Sequence, residues 1–141
     1  MSEPITVVWR GIPVGKQRPR FARRGAFVKT YTPEKTVNFE DDVKGAIIKA
    51  MEGKTPIDGP VRIEVDARFP LPKSRSKAEH AAVAAGNLVP HLQKPDADNV
   101  LKSVVDAMNT IAVRDDKTIF DKRILKRYAM IPGITINIYP H

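Results

Sequence analysis

The run Lys94-Pro95-Asp96-Ala97-Asp98-Asn99-Val100-Leu101-Lys102, continued by Asp106 and by Asp115-Asp116, predicts both a core helix and a cluster of carboxylates. Beyond the first two aspartates, Leu101, Val104, Val105, Met108 and Ile111 recur at helical spacing and form one core-facing stripe. Pro95 holds the approach to this helix extended. At about 100° per residue, Asp98, Lys102 and Asn109 fall within about 40° of one another at the border of the stripe. Lys102 therefore stands one turn above Asp98 and can point into the same site. Asp115 and Asp116 occupy a polar break before the next apolar run, where a loop can return to the helix start.

The formal net charge of the chain is +8, yet six of its sixteen acidic residues lie between Asp96 and Asp121. Two carboxylates about 4 Å apart at an effective dielectric near 20 repel by roughly 4 kcal/mol, so a cluster of them needs a cation or a shared proton. A hard divalent ion such as Mg2+ is the usual remedy, because it takes oxygen ligands, keeps several waters and bridges to phosphate. An isolated Asp-x-Asp at a helix start most often only caps it, and an isolated Asp-Asp pair is most often a solvated turn. Other aspartate motifs are excluded by context. An EF-hand loop needs an oxygen ligand and then glycine where this chain has Val100 and Leu101. A phosphatase or glycosyltransferase motif would follow an apolar strand, which His91-Leu92-Gln93-Lys94-Pro95 is not.

The string Lys-Pro-Asp-x-Asp-Asn-x-x-Lys, then Asp106-Ala107-Met108-Asn109 and Arg114-Asp115-Asp116, resembles the RusA family of Holliday junction resolvases. Gly11-Ile12-Pro13-Val14-Gly15-Lys16-Gln17-Arg18-Pro19-Arg20 and Tyr31-Thr32-Pro33 are similar to that family too, so the resemblance extends from about residue 11 to 121. It implies that Asp96, Asp98 and Asp116 are catalytic metal-binding aspartates, that Lys102 is a catalytic lysine, and that Asp115 is an adjacent acidic participant. It further implies a RusA-like α+β fold, a homodimer, a Mg2+ cofactor and branched DNA, the four-way junction, as substrate. Many relatives have glycine after the asparagine of the Asp-Ala-Met-Asn string, where this chain has Thr110.

On either side of the acidic helix the chain alternates between strands and helices. Val61, Ile63, Val65, Ala67 and Phe69 interleave with Arg62, Glu64, Asp66 and Arg68, which predicts a strand with one core face and one wet face. Ile5 to Trp9 and Ala26 to Tyr31 read as earlier strands. Thr32 can cap a helix with Pro33 at its first position, and Val37, Val43, Ile47 and Ala50 give that helix an apolar face up to about Met51, before Gly53. Ser76 and Glu79 suit a capping box for an alanine-rich helix closing at Gly86, and Asn87 to Lys94 is a polar connector. Ile124 to Ile131 and Ile134 to Tyr139 predict two terminal strands with a turn at Pro132-Gly133. The expected fold is α+β, a single domain over residues 1–141 with a mixed sheet packed against helices.

With 141 residues and 42% hydrophobic content, the chain is long enough for one real core. It lacks cysteine, which excludes disulfides, thiolate zinc sites and a cysteine nucleophile. No apolar stretch approaches the about 18 residues of a membrane span, and Met1-Ser2-Glu3-Pro4 does not begin a signal peptide, so the expected location is the cytoplasm.

Seven basic residues and no acidic one lie between Arg10 and Lys29. Of these, Lys16, Arg18, Arg20, Arg23 and Arg24 make a phosphate-binding arm, in which Phe21 can add a stacking contact. Lys73, Arg75 and Lys77 form a second patch and Lys122, Arg123, Lys126 and Arg127 a third, a distribution that favours a broad nucleic-acid surface over a small-molecule pocket. His80 and His91 are the weaker catalytic alternative, an acid-base pair in a metal-free ribonuclease, although no spacing brings them together. A nucleic-acid-binding module without catalysis, using the basic arm, is the competing function.

Overall fold

The alternation from Val61 to Phe69 is realised in full. Val61, Ile63, Val65, Ala67 and Phe69 are buried while the residues between them are half-exposed. The computed structural model describes residues 3–16, 20–24, 27–31 and 34–141. In chain order they form strands β1 (Ile5–Arg10), β2 (Arg20–Arg24) and β3 (Phe27–Tyr31), helix α1 (Glu34–Ala50), strand β4 (Val61–Pro70), helices α2 (Lys77–Ala84) and α3 (Ala97–Met108), a short 3-10 turn (Asp116–Thr118), and strands β5 (Ile119–Ala129) and β6 (Gly133–Pro140). Thr32 and Pro33, read as a helix start, lie outside the described residues, as do Arg18 and Ala26.

Four strands form a mixed sheet in the order β1-β6-β4-β5, giving a single α+β domain. The β1/β6 and β6/β4 pairs are antiparallel, whereas β4 and β5 run parallel. Parallel neighbours need a crossover. The segment between β4 and β5 supplies it, and that segment carries both α2 and the acidic helix α3. Helix α1 packs on α3 and on β1, and α3 also meets β5. Phe39, Val43, Ile47 and Met51, spaced four apart on the α1 side, are buried together with Val100, Val104 and Met108 of α3 and Ile134, Ile136 and Ile138 of β6. By the area rule each such side chain contributes roughly 1.5–3 kcal/mol. Trp9 closes one end of the core, edge-on to Phe39 at 5.1 Å.

The wet face of β4 is a lattice of charges. Asp66 accepts hydrogen bonds from Arg127 at 2.9 and 3.0 Å and from Arg68 at 3.1 Å. Burial alone would raise the Asp66 pKa, but the two guanidinium groups outweigh it and hold the carboxyl below its ordinary value. Arg62 meets Glu64 at 2.6 Å and lies over the Tyr139 ring.

Three local expectations change. The segment read only as a basic arm contains β2, paired antiparallel with β3 in a backbone register that matches Arg20 with Tyr31 and Arg24 with Phe27. Strand β5 begins at Ile119, five residues before the apolar run at Ile124, because Phe120 to Arg123 lie exposed on an edge strand where alternation is not required. The chain does turn at Pro132-Gly133, but the strands it joins are not paired to each other, since β6 crosses to the far side of β4.

Candidate active site

The start of α3 is fixed by the N-terminal segment. The Lys16 amide donates to the Asn99 carbonyl at 2.9 Å, which brings the Gly11 to Lys16 motif across the first turn of the acidic helix. A Cβ on Gly15 would stand 2.6 Å from Cβ of Pro95, so glycine is required by close approach. Asp96 takes the N-cap position with extended backbone, yet its side chain makes no capping hydrogen bond. The carboxylate is therefore not consumed by the role an aspartate ordinarily plays there. Nearby, Lys126 of β5 donates to the carbonyls of Gln93 and Pro95 at 2.7 and 2.6 Å. Burial lowers the Lys126 pKa, and attraction to Asp96 opposes this only in part.

The far end of α3 sets the second acidic group. After the helix the chain reverses through Thr110, at φ +69°, and is tied down by Ala112 to Met108, Ile57 to Ala112 and Arg114 to Ile57 backbone bonds of 2.8–3.0 Å. Asn109 then accepts a hydrogen bond from the Asp116 amide through Oδ1 at 3.0 Å. The two adjacent aspartates separate in role. Asp115 caps the 3-10 turn, its carboxylate accepting from the Lys117 amide at 2.9 Å, while Asp116 lines a cavity.

That cavity, of about 400 Å3, is lined by Asp98, Leu101, Lys102, Val105, Asp106, Asp116 and Lys122. Asp98, Lys102 and Asp106 are successive i, i+4 positions on α3 and share one side of it. Asp106 is offset by Lys16, whose ammonium lies 3.1 Å from it and 2.7 Å from Glu40. Burial disfavours that ammonium, but the two carboxylates outweigh the cost and raise its pKa. A larger hollow of about 720 Å3 near β1 and the end of α1 holds Glu3 and Lys54 but no comparable gathering of charge.

Among the described residues no three carboxylates or histidines are gathered closely enough to hold a metal unaided. Asp98 and Asp116 share the cavity, whereas Asp96 does not line it. The donor set still fits Mg2+, an ion held by one or two carboxylates, its waters and a substrate phosphate.

The expected basic surface is reduced by internal pairing. Lys16 is occupied by Glu40 and Asp106, and Arg75 by a hydrogen-bonded ion pair with Glu79 and a 3.1 Å bond to the Tyr128 hydroxyl. Lys73 and Lys77 are exposed. The side chains of Arg20, Arg23 and Arg24, like the whole of Arg18, lie outside the described residues. His80 and His91 do not converge on the cavity: His80 bonds the Pro72 carbonyl and His91 is stacked on Phe69 at 3.8 Å. Helical spacing puts Asn109 on the same border as Asp98 and Lys102 but does not reveal its bond to the Asp116 amide, and the place of Asp106 in the cavity wall carries no separate sequence signal. Lys122 was read only as part of a surface patch.

The profile of the endodeoxyribonuclease RusA family matches residues 10–139. A protein of Bacillus subtilis (strain 168), described as uncharacterized protein YqaN, is 34% identical over 130 residues, covering 91% of this chain and 90% of its own. Among the described residues no helix is long and apolar enough to cross a membrane. With the acidic helix and the Asp116 turn sharing one cavity, the N-terminal motif bonded to that helix, and a family match that spans nearly the whole sequence, the chain belongs to the RusA family of Holliday-junction-resolving endodeoxyribonucleases.

Proposed function

We propose that residues 1–141 form one Mg2+-dependent nuclease domain that acts as a cytoplasmic homodimer in DNA recombination and repair and cuts four-way junctions by paired symmetric nicks. The observation that carries this reading is the shared cavity of Asp98, Lys102 and Asp116. Asp98 and Asp116 would hold the ion, with Asp96 at the helix start and Asp115 beside Asp116 as the further acidic candidates. When bound, Mg2+ supplies charge to the scissile phosphate and acidity to a water. Lys102 adds a fixed positive charge for the phosphate or the leaving oxygen, where charge builds in the transition state. Asn109 keeps the Asp116 turn in register with the helix. A homodimer suits the substrate, because a four-way junction has approximate twofold symmetry and its resolution requires two paired cuts.

The test is divalent-dependent nicking of a synthetic four-way junction. Asp98→Asn, nearly isosteric but uncharged, should abolish cleavage in Mg2+ while leaving junction binding intact or tighter, because it removes ion affinity and local repulsion of phosphates together. A variant that cuts at the parental rate would remove Asp98 from the centre. Junction binding by the parent without any cutting would leave the non-catalytic module as the function.

A further inference from the structure

Parallel strands place paired residues on the same side of the sheet, so the β4/β5 register determines what β5 presents to α3. Ile119 pairs with Val61, but Asp121 pairs with Arg62 and Lys122 with Ile63. The register slips by one residue between Val61 and Arg62, leaving Phe120 as the extra residue of a bulge. From there Ile124, Lys126 and Tyr128 pair with Val65, Ala67 and Phe69, all core-facing positions of β4. With regular alternation from Ile119, Asp121 would face the helix side and Lys122 would face away. The bulge reverses them. Asp121 falls on the side of Arg62, and Lys122 lines the acidic cavity.

This exchange matters to the charge of the site. With Lys122 inward, the cavity holds Asp98, Asp106 and Asp116 against Lys102 and Lys122, and Lys16 offsets Asp106 from the side. With Asp121 inward it would hold four carboxylates against one ammonium. The two lysines come from different elements, one on α3 and one on β5, so they approach the carboxylates from separate walls. Among the described residues neither forms an ion pair. We propose that Lys122 is a second substrate-contacting ammonium of this centre, binding the phosphodiester at the cut together with Lys102, and that the bulge at Phe120 exists to turn it inward. The proposal rests on the nuclease reading of the cavity.

The absence of cysteine makes a charge-restoration experiment available. Single-turnover cleavage of a synthetic four-way junction at saturating protein is compared for the parent, Lys122→Met and Lys122→Cys, alongside junction affinity. Removing one preorganised charge should slow the chemical step by roughly 100-fold. Affinity should move by only about threefold, one phosphate contact among many. Alkylating the new thiol with 2-bromoethylamine, which restores an ammonium of lysine length, should return most of the rate, whereas iodoacetamide should not. Lys122→Met cutting at the parental rate overturns the proposal, as does a loss that the aminoethyl group fails to restore. A double exchange, Asp121→Lys with Lys122→Asp, keeps the net charge of the strand. Activity at the parental level there would show that bulk charge, not the inward position, is what counts. A parent that binds junctions without cutting them would instead overturn the nuclease reading itself, and this proposal with it.

Discussion

Thr110 holds a φ of +69°, a left-handed conformation that a β-branched residue adopts only under strain. The conformation is needed because the chain must reverse after Met108 and deliver Asn109 to the Asp116 amide. Glycine meets that need without a steric cost, and asparagine tolerates it. Thr110→Gly and Thr110→Asn should therefore both raise stability, by about 1 kcal/mol for asparagine and somewhat less for glycine, whose unfolded chain is more disordered. Thermal unfolding checks this, with an expected rise of about 3 °C for Thr110→Asn. A fall in both variants would mean that the threonine side chain contributes more than its backbone costs. The departure from the family pattern was visible in the sequence, but its price was not, because φ is set by where the chain goes next and not by the residue alone.

Between helix and sheet, the connector from Asn87 to Lys94 acts as a cover for β5. Its residues bond the strand through His91 to Lys126 at 3.1 Å and Tyr128 to Val89 at 2.9 Å, and the Lys126 side chain then fastens Gln93 and Pro95 at the start of α3. His91 plugs this seam, stacked on Phe69 and edge-on to Tyr128, with Nδ1 buried and unpartnered among the described residues. Burial first, and then the charge of Lys126, lowers its pKa below the ordinary imidazole value. The unfolded chain thus binds the proton at higher pH than the folded one. The stabilisation is complete above the unfolded value of about 6.5 and is lost as the pH falls toward the lower folded value. Thermal unfolding of the parent should lose stability between pH 7.5 and 5. His91→Phe, which keeps the stack but cannot take up a proton, should lose less; equal losses would exclude His91 as a titrating group of the seam. Such couplings decide which elements can be read in advance. Strand β4 was legible because it is central and buried on one side, and α3 because Val100 through Met108 must face a core. Strand β2 was hidden by its arginines, and the first half of β5 by its exposure at an edge. The inward turn of Lys122 depends on a register between strands about 60 residues apart in the chain, which no local pattern carries.

Over the whole molecule the problem is how a chain of net charge +8 holds DNA against a centre rich in carboxylates. Internal pairing sorts the cations. Lys16, Arg68, Arg75 and Arg127 are tied to Glu40, Asp66, Asp106 and Glu79, and they shape the protein. The Lys16 backbone is fastened to Asn99 of α3, next to Asp98 of the acidic cavity, and the hairpin of β2 and β3 begins four residues later in the chain, at Arg20. Each phosphate neutralised contributes roughly 0.9 to the slope of log affinity against log salt on B-form DNA, so replacing Arg18, Arg20 and Arg23 by alanine should flatten that slope by about 2 to 3 units. Binding should weaken for every DNA structure, while cleavage at saturating protein survives, because these residues position the backbone and do not hold the metal. Arg75→Ala supplies the contrast. Its guanidinium is engaged with Glu79 and Tyr128, so its loss should lower stability and leave the slope within about 0.5 of the parent. Titrations of junction DNA across a salt series measure both. If the triple variant keeps the parental slope, the hairpin faces away from DNA, and the phosphates must then be met by the exposed Lys73, Lys77 and Arg123.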